Sequence, residues 1–234
     1  MFTSSLETLK DCKQCAPWKG RVPSHWFNHL RMDFEIERLE SSVLNRKDLF
    51  EICDDPTRSA LECVASICAW GGMKVGHGKA LFETRSAWLP IVEDLRTVKY
   101  SRLQTYSMFS QLREERKLPG CGPAYFTKFI FFLSCGQPGY IMDQWTGKSI
   151  QLLTGTTRPI LTKSGYVADE NTGQEYDGFC RTIELLAQEL NVSPRETEEK
   201  IFSVGGKNAG QWRCYVRKNW RNLNYSSNPE NSSE

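Results

Sequence analysis

Residues 111–133 read QLREERKLPGCGPAYFTKFIFFL, and this stretch organises everything around it. A polar helix-forming run ends at Leu118-Pro119-Gly120-Cys121-Gly122, and Pro123 then opens a second, apolar helix. Two glycines let the main chain turn tightly and come close to another backbone. The unpaired N–H groups at the start of the second helix point outward as an anion site. Such a site contacts phosphate oxygens and reads no bases. A plain helix–helix turn is the other reading of the same five residues.

The pattern extends outward as helices with short connectors. The helix after the hairpin, residues 123–135, is apolar on nearly every face and is therefore central. Upstream, residues 102–117 carry Leu103, Tyr106, Phe109 and Leu112 at helical spacing. Residues 59–70 do the same with Ala60, Cys63, Val64, Ile67 and Cys68, before Gly71, Gly72, Gly76 and Gly78 break the pattern. Downstream, Asp143 is placed to cap a helix over 143–153 and Gly155 to stop it. Residues 154–178 read as an extended connector with a small hairpin. Helices resume over 179–190 and 194–204, the second capped by Ser193 with Pro194 at its first position, and over 211–223. The Ser/Asn-rich tail, 226–234, reads as disordered. The expected fold is mainly α, a single domain over residues 1–225.

Composition excludes several classes. With 39% apolar and 25% charged residues among 234, the chain reads as a soluble globular protein. It has no apolar run long enough to span a bilayer, and its first residues lack a secretory pattern. Nine cysteines at irregular spacing then read as reduced thiols inside a cell, whether bacterial cytoplasm and nucleoid or eukaryotic nucleus. Cys12 and Cys15 form one Cys-x-x-Cys pair, with no second pair to complete a metal site. The net charge of +2 names no partner. Its distribution is uneven, with acids gathered at residues 35–51 and 169–199, leaving the hairpin and C-terminus basic.

Twenty-one residues after Gly122 stands Asp143, followed two residues later by Trp145. Leu118-Pro-Gly-Cys-Gly122, the apolar helix and this acid together resemble the helix–hairpin–helix superfamily of DNA glycosylases, in its 8-oxoguanine branch. The segment Ser66-Ile-Cys-Ala-Trp-Gly-Gly-Met73 resembles the helix and wedge loop that precede the hairpin there. The resemblance covers roughly residues 59–154. It implies two helical lobes, about 70–150 and 1–69 plus 151–225, around a DNA-binding cleft that holds a flipped nucleotide. It also implies double-stranded DNA as partner, a monomer, and no membrane and no organic cofactor. A monovalent cation on the main-chain carbonyls of Leu118, Gly120 and Gly122 would accompany the hairpin. The iron–sulfur cluster of some relatives is not expected, since no four-cysteine set exists.

Two positions depart from the family's pattern. Ile141 stands where a proline usually precedes the catalytic acid, and Ala124 stands where bifunctional members carry a nucleophilic lysine. Lys128 lies one turn further on the same helix face, about 5–6 Å along. A lysine among Phe126, Phe129, Ile130, Phe131 and Phe132 loses hydration, which favours the neutral amine needed to attack C1′. Alternatively, it snorkels to solvent. Asp143 at a helix N-terminus stays ionised and would stabilise the positive charge that develops at C1′; a plain N-cap needs the same residue.

Gly120, Gly122 and Tyr125 would meet DNA at the hairpin. Gly71, Gly72, Met73 and Lys74 would supply the plug and a phosphate contact, with His77 in a loop and Lys79 nearby. Ala124, Gln211, Trp212 and Tyr215 have the chemistry of a base pocket. Lys207, Arg213, Arg217, Lys218 and Arg221, interleaved with Trp212, Tyr215 and Trp220, suit either a nucleic-acid surface or a helix whose tryptophans pack inward. The expected function is a glycosylase that excises an oxidised or modified purine, 8-oxoguanine first, possessing lyase activity if Lys128 is the nucleophile. The rivals are a monofunctional glycosylase for another base, a non-catalytic hairpin DNA-binding protein, and a protein–protein scaffold.

Overall fold

A computed structural model describes residues 2–13, 17–206 and 209–226, the last six without their side chains. Among these residues there are twelve helices and one isolated antiparallel bridge, Leu161 to Val167. The fold is mainly α, as the periodicity predicts. The helices are α1 (Ser5–Asp11), α2 (Pro23–Asn28), α3 (Arg46–Asp54), α4 (Ala60–Trp70), α5 (Val75–Glu83), α6 (Arg85–Leu95), α7 (Arg102–Glu114), α8 (Pro123–Leu133), α9 (Gln144–Thr154), α10 (Gly173–Leu190), α11 (Pro194–Phe202) and α12 (Gln211–Ser226). None of the described helices is long and apolar enough to cross a membrane.

The chain divides into two compact units. The hairpin unit comprises Pro17–Ile141 and Asp169–Asp177, not the expected 70–150. The reason is α8. It is buried from Phe126 to Leu133 and packs against α3, α4, α6 and α7, which draws residues 17–69 into the same core. Phe50 of α3 lies 5.3 Å and 4.8 Å from the rings of Phe131 and Phe132, and Trp70 meets Phe132 edge-on at 5.2 Å. On the other face of α8, Phe126 stacks on Phe109 at 5.4 Å and meets Tyr106 at 5.0 Å.

The second unit comprises Met1–Ala16, Met142–Ala168 and Gly178–Glu234. Its core is α9, which packs against α1, α11 and α12. The tail residues 227–234 lie outside the described residues.

Local chemistry explains several helix ends. Ser59 with Glu62, Ser101 with Gln104, Asp143 with Thr146 and Ser193 with Glu196 form reciprocal capping boxes, and Gly155 ends α9 in the left-handed region at φ 67°. Two expectations need correction. First, α10 begins at Gly173 rather than 179: the Thr172 N–H donates to Glu175 Oε2 at 2.9 Å, while the Glu175 N–H donates to Thr172 Oγ1 at 3.4 Å. Second, the glycine-rich stretch after α4 is a helix, so His77 is helical and not in a loop. A Cβ on Gly78 would lie 2.6 Å from the Trp26 ring. Close packing of α5 at that ring outweighs the roughly 1 kcal/mol that a helical glycine costs.

Candidate functional site

In the hairpin unit, α7 ends at Glu114 and Arg116 turns the chain at φ 58°. Leu118 and Cys121 point into the core, while Gly120 and Gly122 are half-exposed. Gly120 is at φ 70°, and a Cβ there would lie 2.7 Å from the His77 carbonyl oxygen and 2.8 Å from its Cα. The glycine is required twice, by its conformation and by the backbone of α5. Gly120→Ala is expected to cost about 1–2 kcal/mol from the left-handed strain alone, with the overlap in addition. Denaturant unfolding checks this, and a wild-type midpoint would show that the turn is not held in place. Gly122 caps α8 in extended backbone, and its carbonyl accepts the N–H of Tyr125 at 2.8 Å and of Phe126 at 3.1 Å.

Arg113 and Asp169, neither singled out from the sequence, complete the hairpin. The guanidinium Nη1 donates to the Leu118 carbonyl at 3.1 Å. Its Nε donates to Asp169 Oδ1 at 3.3 Å, and its Nη2 pairs with Asp169 Oδ2. The first residue of the acidic stretch 169–199 is therefore paired with the basic hairpin. No local pattern could have found this pair, since its partners are 56 residues apart.

Lys128 is 8% exposed and does not snorkel. Helical side chains lean toward the N-terminus, and Lys128 follows that rule. Its Nζ donates to the carbonyl of Ala124 and lies 5.1 Å from the Tyr125 ring centroid. Gly71 leaves room for the stem, since a Cβ there would sit 3.1 Å from Lys128 Cδ. Burial pushes the Cys68 and Cys121 thiols up, with the positive charge of Lys128 acting the other way on both. These two thiols should resist alkylation in the native protein, whereas the exposed Cys135 and Cys214 react. Mass spectrometry after brief iodoacetamide treatment tests this, and early modification at Cys121 would contradict the buried hairpin.

The expected plug is corrected at Met73, which is fully buried and accepts the Trp26 Nε1–H on its carbonyl at 2.8 Å. Gly71 caps α4 and Gly72 turns at φ 72°. Lys74, His77 and Lys79 are exposed, with Lys74 just ahead of α5 and the other two on it.

In the second unit, Asp143 is half-buried and caps α9. Its Oδ1 accepts the N–H of Trp145 at 2.7 Å and of Thr146 at 3.1 Å, and Thr146 Oγ1 accepts the Asp143 N–H at 2.9 Å. Both cap bonds fall on Oδ1, so Oδ2 takes no part in the cap.

A family model described as "Putative 8-oxoguanine DNA glycosylase OGG-like protein" matches residues 14–202. The chain belongs to this OGG-like family. The search of curated proteins and that of solved structures returned no match.

The OGG-like match reaches well beyond residues 59–154 on both sides and stops short of α12. In that helix, burial argues against a base-pocket role for Trp212, while Gln211 is exposed and Tyr215 half-exposed. Trp212 is 1% exposed, stacks on Tyr215 at 5.3 Å and donates its Nε1–H to Ser149 Oγ at 2.9 Å. Tyr215 hydroxyl pairs with Ser5 Oγ at 3.1 Å, and Gln211 Oε1 accepts the Lys13 N–H at 3.1 Å. Trp220 is also buried, donating to Gln151 Oε1 at 2.7 Å. The two tryptophans pack inward. Arg213 is buried against Trp145, its guanidinium carbon 3.9 Å from the ring centroid. Arg217 and Lys218 are exposed, whereas Lys207 and the side chain of Arg221 lie outside the described residues. Cys15 also lies outside them. Among the described residues no group of three His, Cys, Asp or Glu could hold a metal ion.

Proposed function

We propose that this OGG-like protein is a DNA glycosylase that excises an oxidised purine, 8-oxoguanine first, and that Lys128 supplies its nucleophile. The observation that carries the reading is the contact between Lys128 Nζ and the carbonyl of Ala124. The amine reaches back to the residue where the resembled family carries its lysine. A change of position in sequence thus leaves the amine near the same turn of α8.

The residues then divide the work. The hairpin N–H groups at Gly122 and beyond hold backbone phosphate. The Lys128 amine, once it has given up its proton to solvent, attacks C1′ and forms an N–C bond as the glycosidic bond breaks. The electron pair of that bond leaves with the base, which takes up a proton. The carboxylate of Asp143 stabilises the positive charge that builds on the sugar. Loss of a proton from the attached nitrogen and opening of the sugar ring give an imine, and β-elimination from it expels the 3′ phosphate. Ala124 itself favours the second reading, a monofunctional enzyme in which water attacks and Lys128 only binds.

Borohydride trapping on a labelled 8-oxoguanine duplex tests the proposal. A covalent protein–DNA adduct is expected with the wild-type chain. Alkali-labile sites without an adduct would favour the water-using enzyme. Neither signal, on a panel of modified bases as well, would overturn the glycosylase reading.

A further inference from the structure

Two of the three carbonyls that the resemblance assigns to a monovalent cation, those of Leu118 and Gly122, are engaged by the protein itself. The oxygen of Leu118 accepts Arg113 Nη1 at 3.1 Å, and that of Gly122 accepts two helix N–H groups. A cation bound to the Leu118 oxygen would either share it with Nη1 or displace it, and in both cases would sit beside a permanently charged guanidinium. These residues do not fit the ion. We propose that the hairpin carries its own cation: the Arg113 guanidinium, clamped by Asp169, cross-links the turn in place of bound K⁺ or Na⁺.

The guanidinium geometry suits that task. One edge takes a carboxylate through two donors, and the remaining nitrogen reaches a carbonyl, a division that a lysine ammonium could not reproduce. Asp169 is itself held in position. The segment Asp169–Asp177 is anchored to the hairpin unit at its far end by the buried pair Arg102 Nε to Asp177 Oδ1 at 2.6 Å. Tyr176 hydroxyl adds a bond to the Tyr140 carbonyl at 2.9 Å. Gly173 lies so close to Leu103 that a Cβ would be 2.6 Å from its carbonyl oxygen. Neutralisation runs both ways. A Cβ on Gly122 would lie 3.6 Å from Asp169 Oδ1, so without Arg113 that carboxylate would repel phosphate at the start of α8.

The DNA arm of the test rests on the glycosylase reading; the stability arm does not. Thermal unfolding and duplex affinity are measured for the wild-type chain in KCl, NaCl and tetramethylammonium chloride at equal ionic strength, with Arg113→Gln alongside. Wild-type midpoint and affinity should be the same in the three salts. Arg113→Gln should bind duplex about tenfold more weakly, the scale of losing charge-assisted hydrogen bonds, and unfold at a lower temperature. A wild-type midpoint or affinity that rises specifically with K⁺ or Na⁺ overturns the inference, whether or not the variant folds. So does an Arg113→Gln variant that matches the wild type in both measurements. If the wild type binds no duplex in any salt, the glycosylase reading fails, and the midpoints alone decide between an internal and a bound cation.

Discussion

Lys128→Met is expected to abolish the borohydride-trapped adduct and to lower excision by about three orders of magnitude, the scale on which loss of a nucleophile is felt. Methionine has a similar length and suits a position that is 8% exposed, so the variant should fold. Lys128→Arg keeps the positive charge but offers no nucleophilic amine, so it too should give no adduct. A lysine that only positions DNA would instead be rescued by arginine. The contact with Ala124 adds a stricter arm. Ala124→Lys in the Lys128→Met background places an amine on the same turn and should restore part of the adduct. An adduct that survives Lys128→Met places the chemistry on another residue and sinks the assignment.

Asp143→Asn separates catalysis from capping. Asparagine caps a helix about as well as aspartate, so the two bonds now accepted by Oδ1 should persist and thermal stability should hardly change. What the variant lacks is the negative charge. Excision should fall by about a hundred- to a thousandfold, the range seen when one transition-state-stabilising group is removed. Asp143→Ala loses cap and charge together and should cost about 1 kcal/mol of stability besides. Single-turnover excision measured beside thermal unfolding resolves the two effects. Wild-type rates in Asp143→Asn would reduce the residue to a cap.

The sequence by itself determined the helices whose ends carry their own chemistry. Ser59, Ser101, Asp143 and Ser193 cap through residues two or three positions on, and such short-range bonds can be read from spacing. It also determined the central place of α8, because a helix apolar on nearly every face has nowhere else to go. The hairpin and the acid 21 residues beyond it were legible for the same reason, being local patterns. Tertiary structure alone decided the rest. That α5 is helical despite Gly76 and Gly78 depends on the Trp26 ring, about fifty residues earlier. Met73 and Trp212 look like contact residues until burial places them in a core. Whether Lys128 snorkels or folds back onto Ala124 is a matter of which neighbours leave room, and Gly71 is one of them. Arg113 and Asp169 meet only because a distant segment returns to the hairpin. Capping and periodicity act within a few residues, whereas burial, side-chain direction and long-range ion pairs depend on what the rest of the chain brings alongside.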